Sequence, residues 1–286
     1  MHLGNQSQTA STHIMQALRE YKLGNKSRYW PFIKSWPKPG EVVAGCCMDD
    51  KYDAMWKAPY WEAHHQGWRE RLVSLWHDST QHLGATVKEA LGKDVEVTLE
   101  DVKYAAAITL TRFLSLPGSR GAMIMAPIFD LANHDRHCAN TLEDFTADFL
   151  YLIAGRDYEP GEEICYSYGD LRDDVAVSGY GFLPALEDPP RLAYVDHWQF
   201  EGLRDWHGID TEDDFDGTPE ELQAEMRRLE GIRADILSMP DLVPKPEGDD
   251  YVWNMMKELE ARRIAAIDYE VTRLKELLAG DEHEEL

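Results

Sequence analysis

Apolar side chains over roughly the first hundred residues recur every three or four positions, the spacing of a single helix face. Ile14, Leu18 and Leu23 predict a helix capped by Ser11 and stopped at Gly24. Ser27 to Ile33 starts a further short element, and Trp36-Pro-Lys-Pro-Gly40 breaks it. Tyr52 to His82 carries Trp, Leu and charge at helical spacing and predicts one or two packed helices. Thr98-Leu-Glu-Asp101 reads as a capping box, with Asp in place of Glu, opening a helix through Ala105, Ile108 and Phe113. The pattern then changes. Ala122 to Pro127 is a short apolar run ended by proline, and Phe145 to Ala154 passes from alternating to continuously apolar. Each predicts a strand. Glu159-Pro-Gly-Glu162 has the residues of a type II turn, followed by a strand from Glu163 to Tyr168 and a short helix from Leu171 to Gly179. After the break at Glu187-Asp-Pro-Pro190, helices return. Thr218-Pro-Glu-Glu221 starts one that runs to Ser238, and Asp250 to Leu278 forms a long amphipathic one through Trp253, Met256, Leu259 and Ile264.

Composition narrows the partners. A length of 286 residues suits one large domain or two modest ones. The net charge of −24 argues against direct nucleic-acid binding, which needs a basic footprint, and is compatible with a basic protein or peptide drawn toward a cleft. The acidic runs Thr211 to Asp216 and Asp281 to Glu285 read as solvated surface. No apolar run approaches the ~20 residues that cross a bilayer, so no membrane partner is expected. Met1 to Thr12 has neither a basic n-region nor an apolar h-region. The expected location is intracellular, cytoplasmic or nuclear, a plastid address requiring a further N-terminal segment. Four cysteines in a chain this long do not make a disulfide framework, and reduced thiols are expected.

Two segments about thirty residues apart carry the candidate chemistry. The first is Pro127-Ile-Phe-Asp-Leu-Ala-Asn-His134. The second runs from Tyr158-Glu-Pro-Gly-Glu-Glu-Ile-Cys-Tyr-Ser-Tyr-Gly169 to Gly179-Tyr-Gly-Phe182. Each piece alone occurs in many folds. Tyr166 and Tyr168 on one strand face would ordinarily be core aromatics. Read as metal ligands, Asp130, His134, His137 and Cys138 match no familiar arrangement, and no metal is expected.

In this order and spacing the pieces resemble the C-terminal half of a SET domain, the catalytic unit of many protein methyltransferases. Three features resemble the branch containing the plant Rubisco large-subunit lysine methyltransferase and the animal actin-histidine methyltransferase: a long helical insertion ahead of Asn133-His134, the pair Thr111-Arg112 on the preceding helix, and a helical C-terminal lobe. The resemblance implies an α+β fold. It would be a partial SET domain over 1–186, with the insertion at about 1–115 and the motifs at about 116–186, followed by a helical lobe over 187–286 suited to substrate binding.

The resemblance also implies roles. The cofactor would be S-adenosylmethionine, with Arg112 pairing its carboxylate, Asp130 and Asn133 holding its methionyl part, and the His134 backbone meeting its adenine. Tyr168 would be the catalytic tyrosine, and Tyr166 and Tyr180 would line the channel for the target side chain. Methyl transfer to an amine is an in-line displacement, so the enzyme must align two reactants and keep the amine neutral. No metal is needed.

Two departures stand against this pattern. Arg172-Asp173 occupies the place of the usual Ser-Asn before the next helix. No Gly-x-Gly segment precedes the helical insertion, so part of the cofactor wall is expected to be absent. The expected function is a protein-lysine N-methyltransferase acting on a basic or lysine-containing protein segment. The alternative is a non-catalytic SET-like protein-interaction module or a truncated inactive fragment.

Overall fold

A computed structural model of the chain describes residues 3–115, 123–146, 149–192 and 217–284. Gly118 to Gly121, Ala122, the residues 147–148 and the acidic run Thr211 to Asp216 lie outside the described residues. The contacts divide the chain into two compact units. The first comprises 1–47, 66–171 and 179–181, the second 48–65, 172–178 and 182–286.

In the first unit, α1 (Leu3–Leu23) packs on α4 (Leu99–Arg112). Ile14 and Leu18 meet Val102, Ala105 and Ala106, whose small side chains allow the two helix backbones to approach closely. Ser11 does not cap α1. It lies inside the helix, and its Oγ accepts from Arg71 Nη2 at 2.9 Å. The box at the head of α4 forms as its sequence predicts: Thr98 Oγ1 accepts from the Asp101 N–H at 3.2 Å, and Asp101 Oδ2 accepts from the Thr98 N–H at 2.8 Å. After α2 (Trp30–Ile33), a single helix, α3 (Pro59–Leu91), occupies the stretch where one or two were expected. Its residues Leu72, Leu83 and Val87 complete the α1–α4 core.

The strands are short and pair in three two-stranded sheets among the described residues. β1 (Phe113–Ser115) continues directly from α4 and runs antiparallel to β2 (Met123–Met125). β3 (Asn133–His134) runs parallel to a strand more than thirty residues later, β6 (Cys165–Tyr166). Between them β4 (Thr141–Thr146) and β5 (Phe149–Ile153) form a hairpin. The run Phe145 to Ala154 is therefore two strands rather than one, because Asp144 pairs back onto Leu150. The strand expected over Glu163 to Tyr168 shrinks to Cys165–Tyr166, the only rungs that β3 offers it.

The cysteine expectation is overturned. Cys138 and Cys165 form a disulfide, with Cα atoms 5.9 Å apart, inside the range such a bond requires. The β3–β6 crossing and the turn after His134 bring the two thiols together, which their separation of 27 residues does not announce. In a chain-entropy account, closing a loop of that length stabilises the fold by about 3.5 kcal/mol.

The second unit is helical. α6 (Pro219–Ser238) begins with the expected box, Thr218 Oγ1 accepting from the Glu221 N–H at 3.4 Å, and packs on α7 (Tyr251–Glu284). Leu229, Ile236, Met256, Leu259, Ile267 and Leu274 are fully buried in this unit. Lys57 is also buried here, its ammonium 3.0 Å from Glu260 and 3.3 Å from Asp241, so the desolvated charge is compensated. α5 (Asp173–Tyr180) begins with two buried carboxylates. Asp173 pairs with Arg262 at 3.1 Å, and Asp174 accepts from Trp61 Nε1 at 3.2 Å. Asp173, at the position where the SET pattern has asparagine, is thus one partner of a buried ion pair.

Candidate active site

The site forms where the last turn of α4 meets the crossing of β3 and β6, all within the first unit. α4 delivers Thr111 and Arg112, and β1 adds Phe113 and Leu114. The Thr111 hydroxyl donates to the Ala107 carbonyl at 2.8 Å, so it is engaged within its own helix. A single 3-10 turn, Phe129–Leu131, follows Ile128, which has φ 76° and is 82% exposed. A β-branched residue in that region costs about 1–3 kcal/mol, a cost found most often where the chain must aim a functional side chain. Here the turn aims Asp130 at Arg112, with Nη1 to Oδ2 at 2.7 Å.

The Asp130 side chain is 0% exposed. Burial pushes its carboxyl above the usual carboxylate range, and the Arg112 guanidinium opposes that without cancelling it. Its second oxygen, Oδ1, has no hydrogen-bond partner among the described residues. A buried acceptor left unmatched is unfavourable by about 1–3 kcal/mol, and a ligand that brings a donor there removes that penalty.

Tyr168 is held at both ends by the segment that contains β3. Its main-chain N–H donates to His134 Nδ1 at 3.0 Å, and its hydroxyl donates to the Ala132 carbonyl at 2.8 Å. Burial and the neighbouring Tyr180 push its phenol up to about 12. Tyr166 and Tyr180 stand with ring centroids 5.8 and 5.1 Å from Tyr168, and burial raises both phenols. Next to Tyr180 the backbone turns at Gly181, with φ +75°, where a Cβ would lie 1.6 Å from the Val43 carbonyl oxygen. Only glycine fits there.

Arg112, Asp130, Tyr166, Tyr168 and Tyr180 line one cavity of about 200 Å³, with Phe113, Leu114 and Phe129 as its apolar wall. Five of the seven residues singled out in the sequence therefore share a cavity. Asn133 and His134 are not among its lining residues. Asn133 is exposed and donates from Nδ2 to Glu163 at 2.5 Å, whereas His134 acts on Tyr168 from behind. Sequence reasoning missed Ala132, whose contribution is a main-chain carbonyl and so leaves no side-chain signal. It also missed Leu114 and Phe129, which read as ordinary apolar positions. Of the residues considered as metal ligands, Cys138 is committed to the disulfide.

No protein-family model matches the chain. Over 88 residues it is 31% identical to the actin-histidine N-methyltransferase of Canis lupus familiaris, and 30% identical to those of Danio rerio and Homo sapiens. The match covers 30% of this chain and 15% of each relative's length. Among solved structures, the SET domain of LSMT bound to lysine and AdoHcy superimposes with a TM-score of 0.59 at 11% identity, over 94% of this chain and 75% of that one. The chain has the SET fold, with α-helical regions around short strands.

Proposed function

We propose that the chain is an S-adenosylmethionine-dependent protein methyltransferase whose target is a lysine side chain. The observation that carries the reading is the single cavity bounded by the Arg112–Asp130 pair and by three tyrosines. The actin-histidine N-methyltransferases and the AdoHcy-bound SET domain support the coarser part of it.

The residues present suit the cofactor. Arg112 offers a guanidinium for its carboxylate, and the unmatched Asp130 Oδ1 offers an acceptor for its ammonium. When bound, S-adenosylmethionine supplies an electrophilic methyl group on a sulfonium. Tyr168 keeps its proton at neutral pH and therefore does not act as a base. Its O–H is committed to Ala132, so the lone pairs of the phenol oxygen remain for polarised C–H donors. The apolar wall and the tyrosine rings desolvate an entering ammonium, which favours the neutral amine that can attack.

A lysine needs one unprotonated nitrogen and no second partner. A histidine presents a second ring nitrogen that needs one. Of the non-tyrosine side chains lining the cavity, Thr111 is engaged with Ala107, and Arg112 and Asp130 are the pair this reading gives to the cofactor. That difference favours lysine. A second reading, a non-catalytic interaction module, draws on the cavity volume of about 200 Å³, below the roughly 300–1,000 Å³ that encloses a drug-sized ligand.

Titration calorimetry with S-adenosylhomocysteine separates the two. The enzyme reading expects micromolar binding, and a folded chain with no binding is the interaction module. Transfer of labelled methyl to protein, followed by amino-acid analysis, should yield Nε-methyllysine. Methylhistidine as the sole product would refute the lysine assignment.

A further inference from the structure

The β3–β6 ladder ends at the His134–Tyr166 rung, two residues before Tyr168. Beyond it the chain turns sharply at Gly169, with φ +99°. Sheet hydrogen bonds therefore do not hold the main chain of the tyrosine. The His134 imidazole does so instead, accepting the Tyr168 N–H at 3.0 Å. Two residues upstream of His134, the Ala132 carbonyl takes the hydroxyl of the same tyrosine. Tyr168 is thus fastened at both ends to one three-residue stretch, with the two rings 5.2 Å apart.

We propose that the His134 side chain is the positioning residue for Tyr168, and that it works only as a neutral imidazole protonated on Nε2. An N–H donor aimed at Nδ1 requires a lone pair there, so the proton must sit on the other nitrogen. Protonation of the ring would set one N–H against another and release the Tyr168 main chain. The inference rests on the reading of Tyr168 as the tyrosine beside the reacting methyl.

The charged groups facing the imidazole are Asp135 and Arg136, from its own segment. From the crossing segment, Tyr166 and Tyr168 contribute phenols that stay protonated at neutral pH. Burial, with Arg136 adding to it and Asp135 opposing, holds the imidazole below its ordinary value, so the neutral form is the resting one. Tyr168 loses its hold only as the pH falls into the acid range.

Selective ¹⁵N-tyrosine labelling follows the Tyr168 amide directly, whether or not the chain is active. Its exchange protection, corrected for the intrinsic pH dependence, should hold at neutral pH and drop about threefold to tenfold once the imidazole is charged, at a pH below the ordinary value of about 6.5. In His134→Asn the side-chain oxygen takes the place of Nδ1, so protection should persist and stay flat with pH. In His134→Leu it should be low throughout. The kcat of the wild type should fall more steeply at acid pH than that of His134→Asn, which keeps only the limb set by the target amine. Equal Tyr168 protection in wild type and His134→Leu would overturn the inference. So would a loss of Tyr168 protection at acid pH that survives in His134→Asn.

Discussion

A phenol pushed to about 12 carries its proton throughout the ordinary working range, so Tyr168 contributes an oxygen and a shape, not a titrating group. Tyr168→Phe should lower kcat about 100-fold or more while the circular dichroism spectrum stays that of the wild type. The rate should show no Tyr168-dependent limb between neutral pH and about pH 10. At the neighbouring turn, Gly181→Ala meets two obstacles, a left-handed backbone and the Val43 carbonyl. Backbone strain alone accounts for about 1–3 kcal/mol, and the carbonyl must also shift, so thermal unfolding should move down by several degrees. Linkage at His134 follows from its depressed titration. The folded state binds fewer protons there than the unfolded chain, so this group's stabilising contribution is present above about pH 6.5 and is lost as the pH falls through the lower folded value.

Short-range elements and long-range ones differ in what they need. The box at Thr98 closes with a residue three positions away, and its composition announces it. Thr98→Ala should remove about 1 kcal/mol, read as an earlier denaturant midpoint, and should loosen the helix that carries Arg112 to the cavity. β3 and β6 need each other across the whole β4–β5 hairpin, and with two rungs apiece they are weak alone. The Cys138–Cys165 bond is the covalent tie at that crossing. Reduction with a dithiol, which takes the two sulfurs to thiols as the reagent becomes a disulfide, should lower the melting temperature. It should also raise hydrogen exchange over 133–138 and 164–169. A Cys138→Ser, Cys165→Ser double variant should match the reduced wild type and no longer respond to reductant.

For the whole molecule, a net charge of −24 acts at a distance on any charged partner. If the substrate segment is basic, its association rate should fall steeply between about 10 mM and about 150 mM salt, where the Debye length contracts from ~30 to ~8 Å. A neutral peptide of the same length should show little change. The two compact units draw on stretches far apart in the chain, residues 48–65 and 172–178 packing with the C-terminal helices. Lys57 and Glu260, or Asp173 and Arg262, become partners only through that assembly.

What could be read without the fold is what local chemistry sets. The caps at Thr98 and Thr218, the Glu159–Glu162 turn and the amphipathic helices all depend on neighbours within a few positions. So does the alternation that puts Tyr166 and Tyr168 on one face. Arg112, Asp130 and Tyr180 could be nominated by their order along the chain. Their shared cavity could not, since it exists only once the end of α4, the turn at Phe129, the stretch from Tyr166 to Tyr168 and Tyr180 converge within the first unit. The unmatched oxygen of Asp130, the carbonyl of Ala132, the disulfide and the grip of His134 on Tyr168 arise from the folded contacts alone. Each depends on a distance between residues remote in sequence, and spacing along the chain carries no record of such a distance.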